Sequence, residues 1–362
     1  MHRILIYGLK IYKSLIFDNE GSLIYLTETN ITMKKFLSGL FIGLSFGSLM
    51  AQEGRSDAFA HTYSIVARDA KTGEMGVAVQ SHWFAVGTLV SWGKSGVGVV
   101  ATQSLVNPAF GPEGLALMEK GLSAVEVKER LIAQDEGRAY RQAAFLDAQG
   151  NVAAHTGSSC IAEASHAEGA GFSVQANMML SDQVVPAMKK AFESFAELPL
   201  AERMLKAMEA AESVGGDIRG KQSAALLVVG PQKTDQPWTD KKIDLRVDDH
   251  TDPIGELSRL LTVHKAYDYM NAGDVAMEHG DMEKALELYD QAQALQPQNI
   301  EMVFWKAVTL LNNNREKEAL PLLQKVLAEN SNWGELLRRL PQAGLLNLTP
   351  EKVSKLLQTT DP

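Results

Sequence analysis

The sequence predicts an α+β region followed by an all-α repeat region, and three observations predict it. Thr62 to Asp69 and Thr72 to His82 read as two strands joined by a tight turn: Tyr63, Ile65 and Ala67 alternate with Thr62, Ser64 and Val66, and Lys71-Thr72-Gly73 supplies the turn. The patterns that follow run strands, helix, strands, helices, strands. That order fits two packed sheets flanked by helices and equally permits other α+β folds. From about residue 254 only helical periodicity remains, and residues 266–299 and 300–333 are two segments of equal length.

After the first strand pair, Gly96 to Gln103 is small and apolar, suiting a strand buried on both faces. Residues 112–134 are helical, with Pro112 in the first turn, Leu115, Met118, Leu122, Val125 and Leu131 at helical spacing, and a break at Gly121-Leu122-Ser123. Residues 140–156 read as a hairpin turning at 148–151. A strand from Gly171 to Leu180 precedes helices at 183–196 and 199–213, then strands at 222–229 and 242–248. These elements make one domain over 62–252. In the repeats, Gly273, Ala285, Tyr289, Ala292 and Pro297 fall at the small, aromatic and proline positions of a tetratricopeptide repeat. Ala307 and Ala319 fill the same small sites in a second, degenerate copy, where Leu323 and Ser331 replace the tyrosine and proline. Two repeats rarely stand alone, so the helix 253–264 and the stretch beyond Trp333 are expected to cover their ends. The repeat region spans 253–345 and a tail follows over 346–362. No Gly/Ser/Pro-rich linker precedes it. Ile254, Leu257, Leu260, Leu261 and Val263 instead form an apolar helix running into the first repeat, which predicts docking on the preceding domain.

Apolar residues make up 45% of the chain and charged residues 22%, as in ordinary globular proteins. A net charge of −9 without a basic run argues against a nucleic-acid surface. The single cysteine, Cys160, excludes an internal disulfide. Met33-Lys34-Lys35, the apolar run Phe36 to Met50 and Ala51-Gln52 read as a secretory signal with its cleavage point. The signal segment is therefore 33–51, and residues 1–32 are read as an over-long gene-model start. Mature protein would begin at Gln52, in the periplasm or outside the cell, with no membrane attachment after cleavage.

Several stretches carry a resemblance: Thr62 to Asp69 with Thr72 to His82, Arg141-Gln142, Gln175-Ala176-Asn177, the run from Gly215-Gly216-Asp217 to Leu226, and Asp244 to His250. Through them, about Thr62 to Leu261 closely resembles the domain-of-unknown-function 1028 family, whose fold is related to the N-terminal-nucleophile hydrolases. The resemblance implies a four-layer αββα sandwich with a hydroxyl residue at the start of the first strand as nucleophile. It implies neither a substrate nor a cofactor.

Thr62 is the first-choice nucleophile. In such an enzyme the hydroxyl attacks a carbonyl and the residue's own α-amine is the base. Cleavage after Ala51 would leave Gln52 to His61 ahead of Thr62, so its nitrogen stays an amide unless a second cut frees it; otherwise Thr62 is simply a β-prone strand residue. His82, at a strand end, is a general base or a packed histidine, and Gln80 beside it is a candidate for the surrounding polar pocket. Gln175 and Asn177 share one strand face, as oxyanion donors or as a buried polar network. Asp217 and Arg219 hold a ligand carboxylate or close a turn as an ion pair, with Gln222 beside them. Asp244, Asp248, Asp249, His250 and Asp252 crowd together without EF-hand spacing, and Asp252-Pro253 reads as a helix start, so no metal site is assigned. His155 and Cys160 suggest a Cys–His pair, or an inert buried thiol. Tyr267, Tyr269, Trp305 and Trp333 are partner anchors or inter-helix core.

The expected function is that of a secreted hydrolase-like protein acting on a small-molecule or peptide amide. The alternative is a non-catalytic binding module that recruits a protein partner through the repeats.

Overall fold

The computed structural model describes residues 16–17, 23–24 and 59–360. The expected signal segment and most of the 1–32 extension lie outside the described residues. In the first unit, Met1–Ser56, Ile16–Phe17 (β1) pairs antiparallel with Leu23–Ile24 (β2).

The second unit, Asp57–Pro362, opens as a mixed α/β region with two antiparallel sheets. The larger sheet has six strands in the order Ser165–Gly169 (β10), Phe172–Ala176 (β11), Thr62–Arg68 (β4), Met75–Ser81 (β5), Ser223–Val229 (β12) and Lys241–Val247 (β13). The smaller runs Phe59–Ala60 (β3), Gly98–Leu105 (β7), Arg141–Asp147 (β8) and Val152–Thr156 (β9), with Ser91–Lys94 (β6) also paired to β7. Helices Phe110–Glu119 (α1) and Ala124–Gln134 (α2) cover the smaller sheet, and Val184–Ser194 (α3) and Leu200–Ser213 (α4) the larger.

Alternation along β4 decides which side chain meets which layer. Tyr63, Ile65 and Ala67 join Met188, Phe192, Met204 and Met208 beneath α3 and α4. Val66, with Val77 and Val79, meets Val99, Ala101, Ala144 and Leu146 of the smaller sheet. Thr62 and Ser64 share this inter-sheet face, so polar groups enter the interface at that end of the strand. A one-residue slip would exchange the two sets.

The break predicted inside 112–134 is real: Gly121 takes φ +95° and Ser123 caps α2 in a reciprocal box with Glu126. The strand predicted over 171–180 stops at Ala176, and Met178 turns with φ 59°. Three described strands of this second unit escaped the sequence reading. β10 is polar and largely exposed, β6 is four residues long and β3 only two, so none carries an alternation to detect.

A single 26-residue helix, Pro253–Glu278 (α5), leads into the repeats. Asp252 occupies its N-cap position, but its carboxylate makes no cap bond and faces Lys221 at 3.8 Å. Ile254, Leu257 and Leu261 sit in the core under the six-stranded sheet, while Ala266 and Met270 belong to the repeat core. Met282–Leu295 (α6), Ile300–Asn312 (α7), Glu316–Glu329 (α8), Asn332–Arg339 (α9) and Pro350–Thr360 (α10) follow. A Cβ on Gly273 would lie 2.6 Å from the Tyr289 ring, which is why a small residue stands opposite that aromatic. Phe304 packs against Trp305 and Trp333, and Tyr269 is exposed.

Candidate functional site

Thr62 is the first residue of β4, opposite Ser81 of β5, and is fully buried. Its hydroxyl donates to the Ala60 carbonyl at 2.6 Å. Behind it the chain runs through buried His61 into β3, where Phe59 faces Leu105 and Ala60 faces Ser104. The nitrogen of Thr62 is therefore a peptide amide in this structure. The carbonyl that precedes it, His61 O, accepts from Ser81 Oγ at 2.5 Å and from Arg219 Nη2 at 2.6 Å.

Arg219 is aimed by Asp217. Its Nε donates to Oδ1 at 3.0 Å and its Nη2 to Oδ2 at 2.7 Å, a two-point grip that fixes the guanidinium plane. The buried carboxylate also accepts the backbone N–H of Arg219 at 2.9 Å and of His82 at 3.2 Å. The loop that carries the pair turns on glycines. Gly216 takes φ +54°, and a Cβ there would approach Glu212 Oε1 to 2.7 Å.

Between the sheets lies a chain of amides and hydroxyls. Ser64 Oγ donates to Gln103 Oε1 at 2.6 Å, and Gln175 Nε2 to Ser64 Oγ at 2.6 Å. Gln103 Nε2 donates to Gln142 Oε1 at 2.7 Å, and Asn177 Nδ2 donates to the same oxygen at 2.9 Å. Gln142 Nε2 reaches Thr156 Oγ1 at 2.8 Å and Ala176 O at 2.9 Å. With Nδ2 so committed, Asn177 Oδ1 faces His61 Nδ1 at 2.9 Å, which assigns the ring proton to Nδ1. Burial pulls the His61 pKa below its ordinary 6.5 despite the Asn177 bond, which favours the neutral ring.

The sequence-predicted residues therefore divide. Thr62, Gln175, Asn177, Asp217 and Arg219 come together. Gln80 does not: its cross-strand neighbours are Tyr63 and Ala224, on the opposite, helix-facing side of the sheet. It is fully buried there, and neither amide atom has a hydrogen-bond partner among the described residues. Beside it Tyr63 Oη donates to Glu212 at 2.5 Å, and burial followed by the Glu212 charge pushes the phenol pKa well up. His82 is exposed at the rim, its Nδ1 3.3 Å from Lys221 O, and Gln222 donates to Asp249 at 3.3 Å. His155 and Cys160 are not paired: His155 Nε2 is 2.8 Å from Arg138 O, Cys160 Sγ is 3.4 Å from Arg141 O, and burial raises the thiol pKa. Among the described residues no group of three or more His, Cys, Asp or Glu is placed to hold a metal ion.

Sequence reasoning missed His61, Ser64, Ser81, Gln103 and Gln142 as site residues. The available signal was a polar residue on the inward face of an otherwise apolar strand, as in Thr102-Gln103-Ser104 after Val99-Val100-Ala101.

Comparison with known proteins bears on residues 62–257, which match a family of unknown function, DUF1028. The chain belongs to this family. Residues 276–340 match a tetratricopeptide repeat. A crystal structure of a DUF1028 protein from Silicibacter pomeroyi is similar at 33% identity and a TM-score of 0.50, covering 56% of this chain and 88% of the other. No curated protein matches the chain.

Proposed function

We propose that this DUF1028 protein is a secreted amide hydrolase of N-terminal-nucleophile type, built on that class's four-layer sandwich, with Thr62 as nucleophile. One observation supports the reading above the others. The carbonyl adjoining Thr62 already sits between two donors, Ser81 Oγ and Arg219 Nη2, as an oxyanion site requires. Thr62 cannot draw on its own amine while residues up to His61 remain attached. The first bond within its reach is His61–Thr62 itself.

The chemistry balances as follows. Thr62 Oγ1 attacks the His61 carbonyl carbon, and the oxyanion is held by Ser81 and Arg219. The hydroxyl proton passes to the Thr62 nitrogen as the C–N bond breaks, leaving an ester between His61 and Oγ1. Water hydrolyses the ester to a His61 carboxylate, freeing both the hydroxyl and the α-amine of Thr62. An α-amine with a pKa of about 8 is a competent base at neutral pH. The same donors would then serve an incoming amide.

The test is the intact mass of the secreted chain, wild type against Thr62→Ala, with an amide panel. A wild-type start at Thr62, lost in Thr62→Ala together with turnover, is the expected result. A chain that keeps residues ahead of Thr62 and hydrolyses nothing overturns the reading.

A second reading is favoured by the repeats. A groove of about 480 Å³ between α6, α7 and α8 is lined by Glu283, Glu287, Asp290 and Glu318 against Lys306 and Arg315. Its acidic balance suits a basic peptide segment. On this reading the α/β region is non-catalytic and the repeats recruit a partner. Partner capture that depends on Glu283 and Glu287, with no hydrolysis, would support it.

A further inference from the structure

We infer that residues 59–61 occupy the acyl side of the candidate site, so that its substrate is an extended peptide carrying a hydrogen-bond donor on the residue whose carbonyl is attacked, with Asn177 as the specificity-determining residue. The inference rests on the hydrolase reading and deepens it by naming a substrate class.

Three independent contacts hold this short segment in a substrate's manner. Its backbone pairs antiparallel with β7, Phe59 against Leu105 and Ala60 against Ser104. Main-chain pairing of this kind accepts any extended peptide and rejects a small compact amide. Its last carbonyl lies between Ser81 Oγ and Arg219 Nη2. Its last side chain, His61, is 2% exposed and gives Nδ1–H to Asn177 Oδ1. Together they fix main chain, reacting carbonyl and side chain of one acyl residue.

The surroundings are built for an occupant that leaves. β3 has two residues and shares its edge of β7 with β6, which pairs with Gly98 to Ala101 at the other end. Loss of β3 would bare the β7 backbone at Ser104 and Leu105, an open strand edge ready to template another chain. Ser104 itself sits at φ 73°, a left-handed conformation costly for a non-glycine residue. The Asn177 amide cannot flip to suit an acceptor side chain, because Nδ2 is spent on Gln142. The pocket therefore selects donors, meaning a histidine or a carboxamide, over aliphatic or acidic side chains.

The experiment uses the full chain in a Thr62→Ala background, so that nothing is cut, with Phe59→Gly, Ala60→Gly and His61→Gly to release the segment's hold. Acetyl-Phe-Ala-His-amide is titrated calorimetrically against acetyl-Phe-Ala-Leu-amide and the analogue methylated on the histidine Nδ1. The expected result is binding of the histidine peptide at least tenfold tighter than either. Equal affinities, or no binding by a folded protein, overturn the inference. If the triple variant does not fold, His61→Gly alone replaces it with imidazole as probe. Imidazole should raise its melting temperature and leave that of wild type unchanged, and no selective rise overturns the inference. The outcome is separable from the hydrolase reading. Peptide preference without Thr62-dependent cleavage sinks the reading and keeps the subsite; cleavage without preference does the reverse.

Discussion

Arg219 Nη2 donates at 2.6 Å to the carbonyl of His61, a residue 158 positions earlier in the chain, and Asp217 holds the guanidinium in that direction from the other side. The same contact is a structural clamp and, on the hydrolase reading, an oxyanion donor. Stability and kinetics separate the two roles.

Arg219→Ala leaves the fully buried Asp217 carboxylate with two backbone donors among the described residues. The cost is roughly 1–3 kcal/mol for a buried polar group left under-satisfied, moderated because the arginine side chain is 27% exposed. The double variant Arg219→Ala/Asp217→Ala should regain part of that loss. Urea midpoints of the singles and the double measure the coupling, and strictly additive losses would refute the pairing.

Ser81→Ala removes one donor from the His61 carbonyl and leaves no buried charge behind. Its stability cost is about 1 kcal/mol. Release of residues ahead of Thr62, followed by mass, should slow by about 100- to 1,000-fold. If release keeps the wild-type rate, Ser81 is not an oxyanion donor.

The fold was largely legible because β4 alternates, a tight turn follows it, and the first repeat carries small and aromatic positions such as Gly273 and Tyr289. Much of the site was not. Gln80 and Gln175 look alike in sequence, yet strand register sends one beneath the helices and the other between the sheets. In the sequence His61 is only the last residue ahead of Thr62. Its burial, and the two donors on its carbonyl, depend on residues 20 and 158 positions away. Local pattern cannot register such contacts.

Acid should destabilise the protein through His61. Burial is the main cause that lowers its pKa from 6.5. The unfolded chain therefore binds more protons than the folded one over the window from 6.5 down to the lowered folded value. The contribution is complete above 6.5 and is lost as pH falls through that window. Urea midpoints from pH 8 to pH 5 should fall, and His61→Gln should flatten the profile relative to wild type. A His61→Gln profile with the wild-type slope would contradict the assignment. Asp135 acts at lower pH. Burial would raise it, but the bonds from Arg141, Asn107 and the Gly137 N–H hold it below its usual 3.8, so its loss comes later in the titration.

The α/β region and the repeats are expected to unfold as one cooperative body. Helix α5 places Leu257, fully buried, in the core beneath the six-stranded sheet, and one turn beyond Leu261 it enters the repeat core with Ala266. An unbroken helix transmits the loss of either end, since neither core closes without it. Leu257→Ala should cost about 2–5 kcal/mol and lower the melting of both regions together. A chain ending at Asp252 should lose stability by the same logic, because Ile254, Leu257 and Leu261 no longer cover the sheet. Hydrogen exchange gives the reading. Protection in β5 and in α7 should fall in parallel in Leu257→Ala, whereas full protection of α7 beside a weakened β5 would show two independent units and sink the coupling.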